Sequence, residues 1–144
     1  MEVVLDASVL TDMFIVSRKR HELAFRLEQY IKSNKINITI PIYAVLELKT
    51  AIENERLNNN FKTDDILNKF CLLSPKVVYI DKNFIKEYMD LNVPYIKAGD
   101  LIYILIAKKH SAILITEDEK QYKVARFAQV STYKINDFLS RRKA

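Results

Sequence analysis

The sequence predicts an α/β fold with a central, mainly parallel sheet covered by helices on both faces. Three observations predict it. Short β-branched runs alternate with longer segments of helical period along the whole chain. Most of the short runs are almost wholly apolar, as strands are when both faces are covered. Hydrophobic residues make up 49% of 144 residues, enough for one real core and too many for a disordered chain. No linker, repeat or low-complexity stretch divides the chain, so residues 1–144 read as a single domain. Crossovers between parallel strands are expected to be right-handed.

Val3–Leu5 is the first strand candidate, closed by Asp6. Leu23, Leu27 and Ile31, with Ala24 beside them, recur at helical spacing and predict a helix over about Lys19–Ser33. Ile36–Ile40 is the second strand. Pro41 fits the first turn of the next helix, where a missing N–H is no loss. That helix carries Glu47 and runs to about Leu57, where Asn58-Asn59-Asn60 breaks it. A short helix over Asp64–Leu72 precedes a third strand, Val77–Ile80. Asn83–Leu91 and Asp100–Lys109 are the next helices, and Leu101–Ala107 is apolar all round, which predicts deep burial. Strands Ala112–Thr116 and Gln129–Thr132 enclose a helix over Glu117–Arg126, and Ile135–Arg141 ends the chain as a helix.

Composition excludes several functions. Gly99 is the only glycine, so glycine-rich phosphate loops and dinucleotide fingerprints are ruled out. Cys71 is the only cysteine, which excludes an internal disulfide framework and a cysteine zinc cluster. A reducing, cytoplasmic setting is the expectation, with no signal-peptide pattern at Met1-Glu2. The longest apolar run stops at Lys108-Lys109, far short of the roughly 20 residues of a membrane span. Net charge is +5, from 23 Lys and Arg against 18 Asp and Glu, a modest bias toward a polyanionic partner. The basic residues gather in Arg18-Lys19-Arg20, Lys108-Lys109-His110 and Arg141-Arg142-Lys143, each of which reads as a solvated helix end or a backbone contact. His21 and His110 lack a partner at metal or triad spacing and read as surface residues; Tyr103, within its apolar helix, reads as core.

Four acids stand at the edges of apolar segments: Asp6, Glu47, Asp100 and Asp118. Each has an ordinary explanation. Asp6 and Ser8 suit a helix start, and Asp100 after Gly99 suits an N-cap. Thr116 and Glu119 spell a capping box around Asp118. Glu47 is the hardest to dismiss. At about 100° per residue, Ala44, Val45, Leu48, Ala51 and Ile52 fill one arc of its helix, and Glu47 sits on the border of that arc. Asp6 and Asp118 both follow predicted strands, at the carboxyl ends where ligand sites of such sheets lie. Clustered carboxylates repel unless a cation offsets them. Their hard oxygens suit Mg²⁺ or Mn²⁺ rather than zinc or copper. Such an ion activates water and neutralises charge on a phosphate, and a basic surface would hold a nucleic-acid backbone. Together these point to a phosphodiesterase acting on RNA or DNA.

The chain resembles the PIN-domain ribonucleases, and among them the VapC-type toxins of prokaryotic toxin–antitoxin pairs. The residues that carry the resemblance are Val4-Leu5-Asp6-Ala7-Ser8-Val9-Leu10, Pro41 followed by Glu47 in a helix, Asp100-Leu101-Ile102-Tyr103-Ile104-Leu105-Ile106-Ala107, and Thr116-Glu117-Asp118. Order and spacing match from Val3 to Phe138. The resemblance implies a three-layer α/β/α sandwich with a five-stranded sheet and a Mg²⁺- or Mn²⁺-dependent endoribonuclease. It implies that Asp6, Glu47, Asp100 and Asp118 form the catalytic, metal-holding quartet, with Ser8 and Thr116 supporting it. It also implies RNA as substrate, a small cognate antitoxin as partner, and a homodimer. Two positions depart from the family pattern. His110-Ser111 stands where a glycine is common, and Gln121 stands where an aromatic or Leu is usual. A housekeeping RNA-processing nuclease, a DNA nuclease and a non-catalytic PIN-like binding module are the alternative readings.

Overall fold

A computed structural model of the chain describes residues 1–56 and 62–142. In order, β1 (Glu2–Leu5) is followed by α1 (Ala7–Phe14), α2 (His21–Ser33), β2 (Asn37–Pro41), α3 (Ile42–Arg56) and α4 (Thr63–Leu73). Then come β3 (Lys76–Val78), α5 (Lys82–Tyr88), α6 (Ala98–His110), β4 (Ile113–Ile115), α7 (Glu119–Phe127), β5 (Thr132–Tyr133) and α8 (Ile135–Arg142). The strands form one sheet in the order β3-β2-β1-β4-β5, and every pair is parallel. Val3 pairs with Ile38 on one side and Ile113 on the other.

This order positions the site. From β1 the chain moves outward to β2 and β3, then returns across the sheet to β4 and moves outward again to β5. Right-handed crossovers put the helices of the two halves on opposite faces. The packing agrees: α1 lies against α2, α3 and α4, while α6 lies on β1, β2 and β4 beside α5 and α7. The result is a three-layer α/β/α sandwich. Strand order reverses between β1 and β4, so the crevice at their carboxyl ends is where a ligand site is expected. Val3, Val4 and Leu5 are fully buried, as is proper to a central strand covered on both faces. Ile102–Ala107 are buried, as their all-round apolar character predicts.

Several local readings need correction. Pro41 ends β2 instead of opening the next helix. Pairing of β2 with β1 stops at Thr39, so the missing N–H of Pro41 falls beyond that ladder. The segment Ala7–Phe14, not assigned to a helix from sequence, is a helix buried at seven of its eight positions. The last strand starts at Thr132, not Gln129, because Gln129 (φ 65°) closes α7 in the left-handed region and Val130 N–H returns to Ala125 O at 3.0 Å. Lys35, Ser74 and Ser111 end α2, α4 and α6 in the same conformation, with φ of 48–52°. Non-glycine side chains thus do at four helix ends what glycine usually does. Ser111 in particular fills the place where the family resemblance expects a glycine.

The charged clusters also differ from expectation. Arg18 and Arg20 are not simply solvated: their Nε atoms lie 2.9 and 3.0 Å from the two oxygens of Asp12, which is buried. His110 is not a free surface residue. Its Nδ1 is 2.7 Å from Glu2 Oε1 and its Nε2 2.7 Å from the Tyr88 hydroxyl. His21 Nδ1 lies 2.9 Å from Asp12 O. The proposed break at Asn58-Asn59-Asn60 lies outside the described residues. None of the described helices is long and apolar enough to cross a membrane.

Candidate active site

Asp6 follows the last residue of β1 and stands at the N-cap position of α1. Its backbone N–H extends the ladder to β4, donating to Ile115 O at 3.1 Å. Its side chain does not cap the helix. Instead Oδ2 accepts a 2.6 Å hydrogen bond from Ser8 and a 3.3 Å one from Thr116. The capping explanation therefore fails for this carboxylate. Burial pushes its pKa up, and the charge of Asp100 pushes the same way, against the two hydroxyl donors.

Glu47 sits one turn into α3 and half-buried at the core edge. Its Oε1 accepts a 2.6 Å hydrogen bond from the hydroxyl of Tyr103 on α6. Burial raises its pKa, with help from Asp6 and Asp100 and against that hydrogen bond. Tyr103 is held far above its ordinary pKa by burial and by Glu47, so it stays a neutral donor. Asp100 lies in the first turn of α6, which starts at Ala98, so it is not the N-cap residue. Burial raises its carboxyl too, Lys97 Nζ at 3.7 Å opposes this, and Asp118 adds repulsion.

Asp118 is the acid best explained as a cap. It is the N-cap residue of α7, and its Oδ1 accepts from Gln121 N–H at 2.7 Å. The expected capping box around it is absent. The helix starts at Glu119, and Thr116 Oγ1 accepts from Asp118 N–H at 3.1 Å. Thr116 thereby links the Asp118 backbone to the Asp6 carboxylate. The side chain of Gln121 also donates from Nε2 to Asp100 O at 3.1 Å.

The fold brings the four predicted acids to one end of the sheet. Mutual repulsion couples Asp6 with Asp100, Glu47 with both, and Asp100 with Asp118, so Asp100 is the hub. They are near neighbours but not a closed cage. Among the described residues, no group of three or more His, Cys, Asp or Glu is placed to hold a metal ion. Sequence reasoning missed two participants. Tyr103 carries the one hydroxyl in a buried apolar run, three residues past Asp100, and a buried phenol normally seeks a partner. Gln121 stands three residues past Asp118, where a helix offers its backbone N–H to the cap.

A three-layer sandwich with a five-stranded parallel sheet carries acids at the carboxyl ends of β1 and β4. The family model for the PIN domain matches residues 3–127, and the chain belongs to the PIN-domain family. Members of that family are generally nucleases. Solved structures share the fold at low identity. A protein from Pyrobaculum aerophilum aligns at TM-score 0.64 and 17% identity, covering 98% of this chain and 94% of that one. VapBC2 from Rickettsia felis, solved bound to a promoter DNA fragment, aligns at 0.63 and 14%, covering 93% and 98%. FitAcB from Neisseria gonorrhoeae aligns at 0.55 and 16%, covering 92% and 97%. No curated protein sequence matches the chain.

Proposed function

We propose that this protein is a divalent-metal-dependent endoribonuclease and the toxin of a toxin–antitoxin pair. The observation that carries the catalytic reading is the gathering of Asp6, Glu47 and Asp100 at the reversal point of a PIN-domain sheet, where burial and mutual repulsion push all three carboxyls up. Such a cluster gains most from a hard cation. The donor set fits Mg²⁺ or Mn²⁺. Mg²⁺ keeps several waters and takes few carboxylates directly, so it does not require a closed cage of side chains. When bound, the ion supplies a water of lowered pKa and offsets charge on the phosphate.

The chain's own residues then have distinct tasks. Asp6, Asp100 and Asp118 would hold the ion, and Glu47 would complete the site. Ser8 and Thr116 fix the Asp6 carboxylate, and Tyr103 fixes Glu47. Lys97, well exposed beside Asp100, is placed to meet a phosphate. Hydrolysis would leave 3′-hydroxyl and 5′-phosphate ends. The test is Asp6→Asn on RNA with Mg²⁺ or Mn²⁺. Undiminished cleavage by the folded variant would overturn the assignment. Comparing RNA with single-stranded and flapped DNA fixes the substrate.

The partner half of the proposal is supported by the fold shared with VapBC2 and FitAcB. A small neighbouring reading frame whose product co-purifies with this chain and suppresses cleavage would establish it. Cleavage without such a partner would favour a housekeeping RNA-processing role. Sedimentation of the purified chain tests the expected homodimer.

A further inference from the structure

We propose that Gln121 is a positioning residue: its amide locks the spacing of Asp100 and Asp118 and thereby sets the affinity of the acidic end for a divalent cation. The inference rests on the metal-dependent reading above and adds a residue to it. Gln121 is fully buried, on the first turn of α7. Its backbone N–H holds Asp118 Oδ1 at 2.7 Å, and its side-chain Nε2 holds Asp100 O at 3.1 Å. One residue therefore ties the first turn of α7, which Asp118 caps, to the first turn of α6, which carries Asp100.

The orientation of the amide is fixed. Asp100 O is an acceptor only, so the group facing it must be the amide nitrogen, and Oε1 must point away as an acceptor. That Oε1 is buried and has no hydrogen-bond partner. An unpaired buried acceptor disfavours folding. Asp100 O, as a carbonyl inside α6, has a helical N–H partner of its own. The fold alone would thus be served as well by an apolar side chain of the same length. What an apolar side chain cannot do is bind α6 to α7 at a set distance. Groups that orient ion-holding carboxylates from behind typically change metal affinity strongly when removed.

The experiment is a Mn²⁺ titration followed by the room-temperature electron paramagnetic resonance signal of the free ion, with melting of the ion-free protein alongside. Gln121→Met and Gln121→Leu are compared with the wild type. The expected result is an ion-free melting temperature equal to or above wild type, with Mn²⁺ binding about ten- to a hundredfold weaker. Unchanged Mn²⁺ affinity in folded variants would overturn the role of Gln121 and leave the metal reading intact. Failure of both variants to fold would overturn it in favour of a purely structural amide. A wild type that binds no Mn²⁺ would overturn the metal reading itself, and this inference with it.

Discussion

Asp6 and Asp12 lie six residues apart at the two ends of one buried segment, and the fold treats them oppositely. Asp12 is 1% exposed and Asp6 7%. Asp12 meets two guanidinium groups, with Arg18 and Arg20 each on its own oxygen. Glu28, also buried, is similarly served by Lys32 at 2.6 Å and Lys69 at 3.7 Å. Asp6 receives two hydroxyls and the field of two acidic neighbours, Asp100 and Glu47. A chain that can pair a buried carboxylate when it needs to has left one unpaired at the reversal point of its sheet. Desolvating a charge without a partner is costly. The comparison teaches that the deficit of positive charge around Asp6 is local and specific, not a general shortage in a chain of net charge +5.

The sharpest way to break that comparison is to neutralise each carboxylate in turn. Asp6→Asn is expected to lower metal-dependent RNA cleavage by about a hundredfold or more, since the ion's contribution is worth several kcal/mol. The same change removes a desolvated charge, so the ion-free protein should melt at a higher temperature than wild type. Cleavage assays and calorimetry on one preparation read both effects. Asp12→Ala should do the reverse. It strands Arg20, leaves Arg18 with only Glu55 at 3.6 Å, and opens a small cavity. Both arginines retain solvent access, with 31% and 46% of their side-chain surface exposed, so the loss is expected near 2 kcal/mol in denaturant unfolding. Equal stability losses at the two positions would erase the distinction.

Much of this was legible in the chain. The strand–helix alternation gave the layers and the parallel sheet because buried strands and amphipathic helices each write a period into the sequence. The acids were legible as a set because they interrupt apolar edges where cost demands a reason. What stayed hidden was long-range. Tyr103 reads as core until α6 is laid beside α3, because the partner of its hydroxyl lies 56 positions away in the chain. Arg18-Lys19-Arg20 reads as a helix end until Asp12 is seen to turn toward it. The first helix was missed because seven of its eight residues are buried, so it lacks the polar face that marks a surface helix. Element ends slipped where a left-handed Gln129 or a strand-ending Pro41 did a job usually given to another residue.

Tyr103→Phe probes the support of the acidic end at a smaller scale. The hydroxyl gives Glu47 a charge-assisted bond, but Glu47 is only half-buried, and water can replace part of it. A loss of about 1 kcal/mol in stability and roughly tenfold in cleavage is expected. A cleavage rate equal to wild type would remove Tyr103 from the site and return it to the core.

The smallest effect is the pH dependence of the ion-free protein, and it isolates Asp6 from the rest. A carboxyl whose pKa is higher in the folded than in the unfolded chain holds its proton more tightly when folded. Its contribution therefore falls as pH rises from about 4, the ordinary carboxylate range, through the raised folded value. Asp6, Glu47 and Asp100 all carry this sign. Glu2 carries the opposite sign, since its hydrogen bonds from Thr39 and His110 outweigh burial and lower its pKa. Whole-protein stability mixes the two, so the informative quantity is the difference between wild type and Asp6→Asn at each pH. That difference should grow in favour of the variant as pH climbs from mildly acidic to neutral, and saturating Mn²⁺ should reverse it by stabilising only the wild type. A difference flat with pH would mean that Asp6 is as well compensated as Asp12, and that the acidic end is not waiting for a cation.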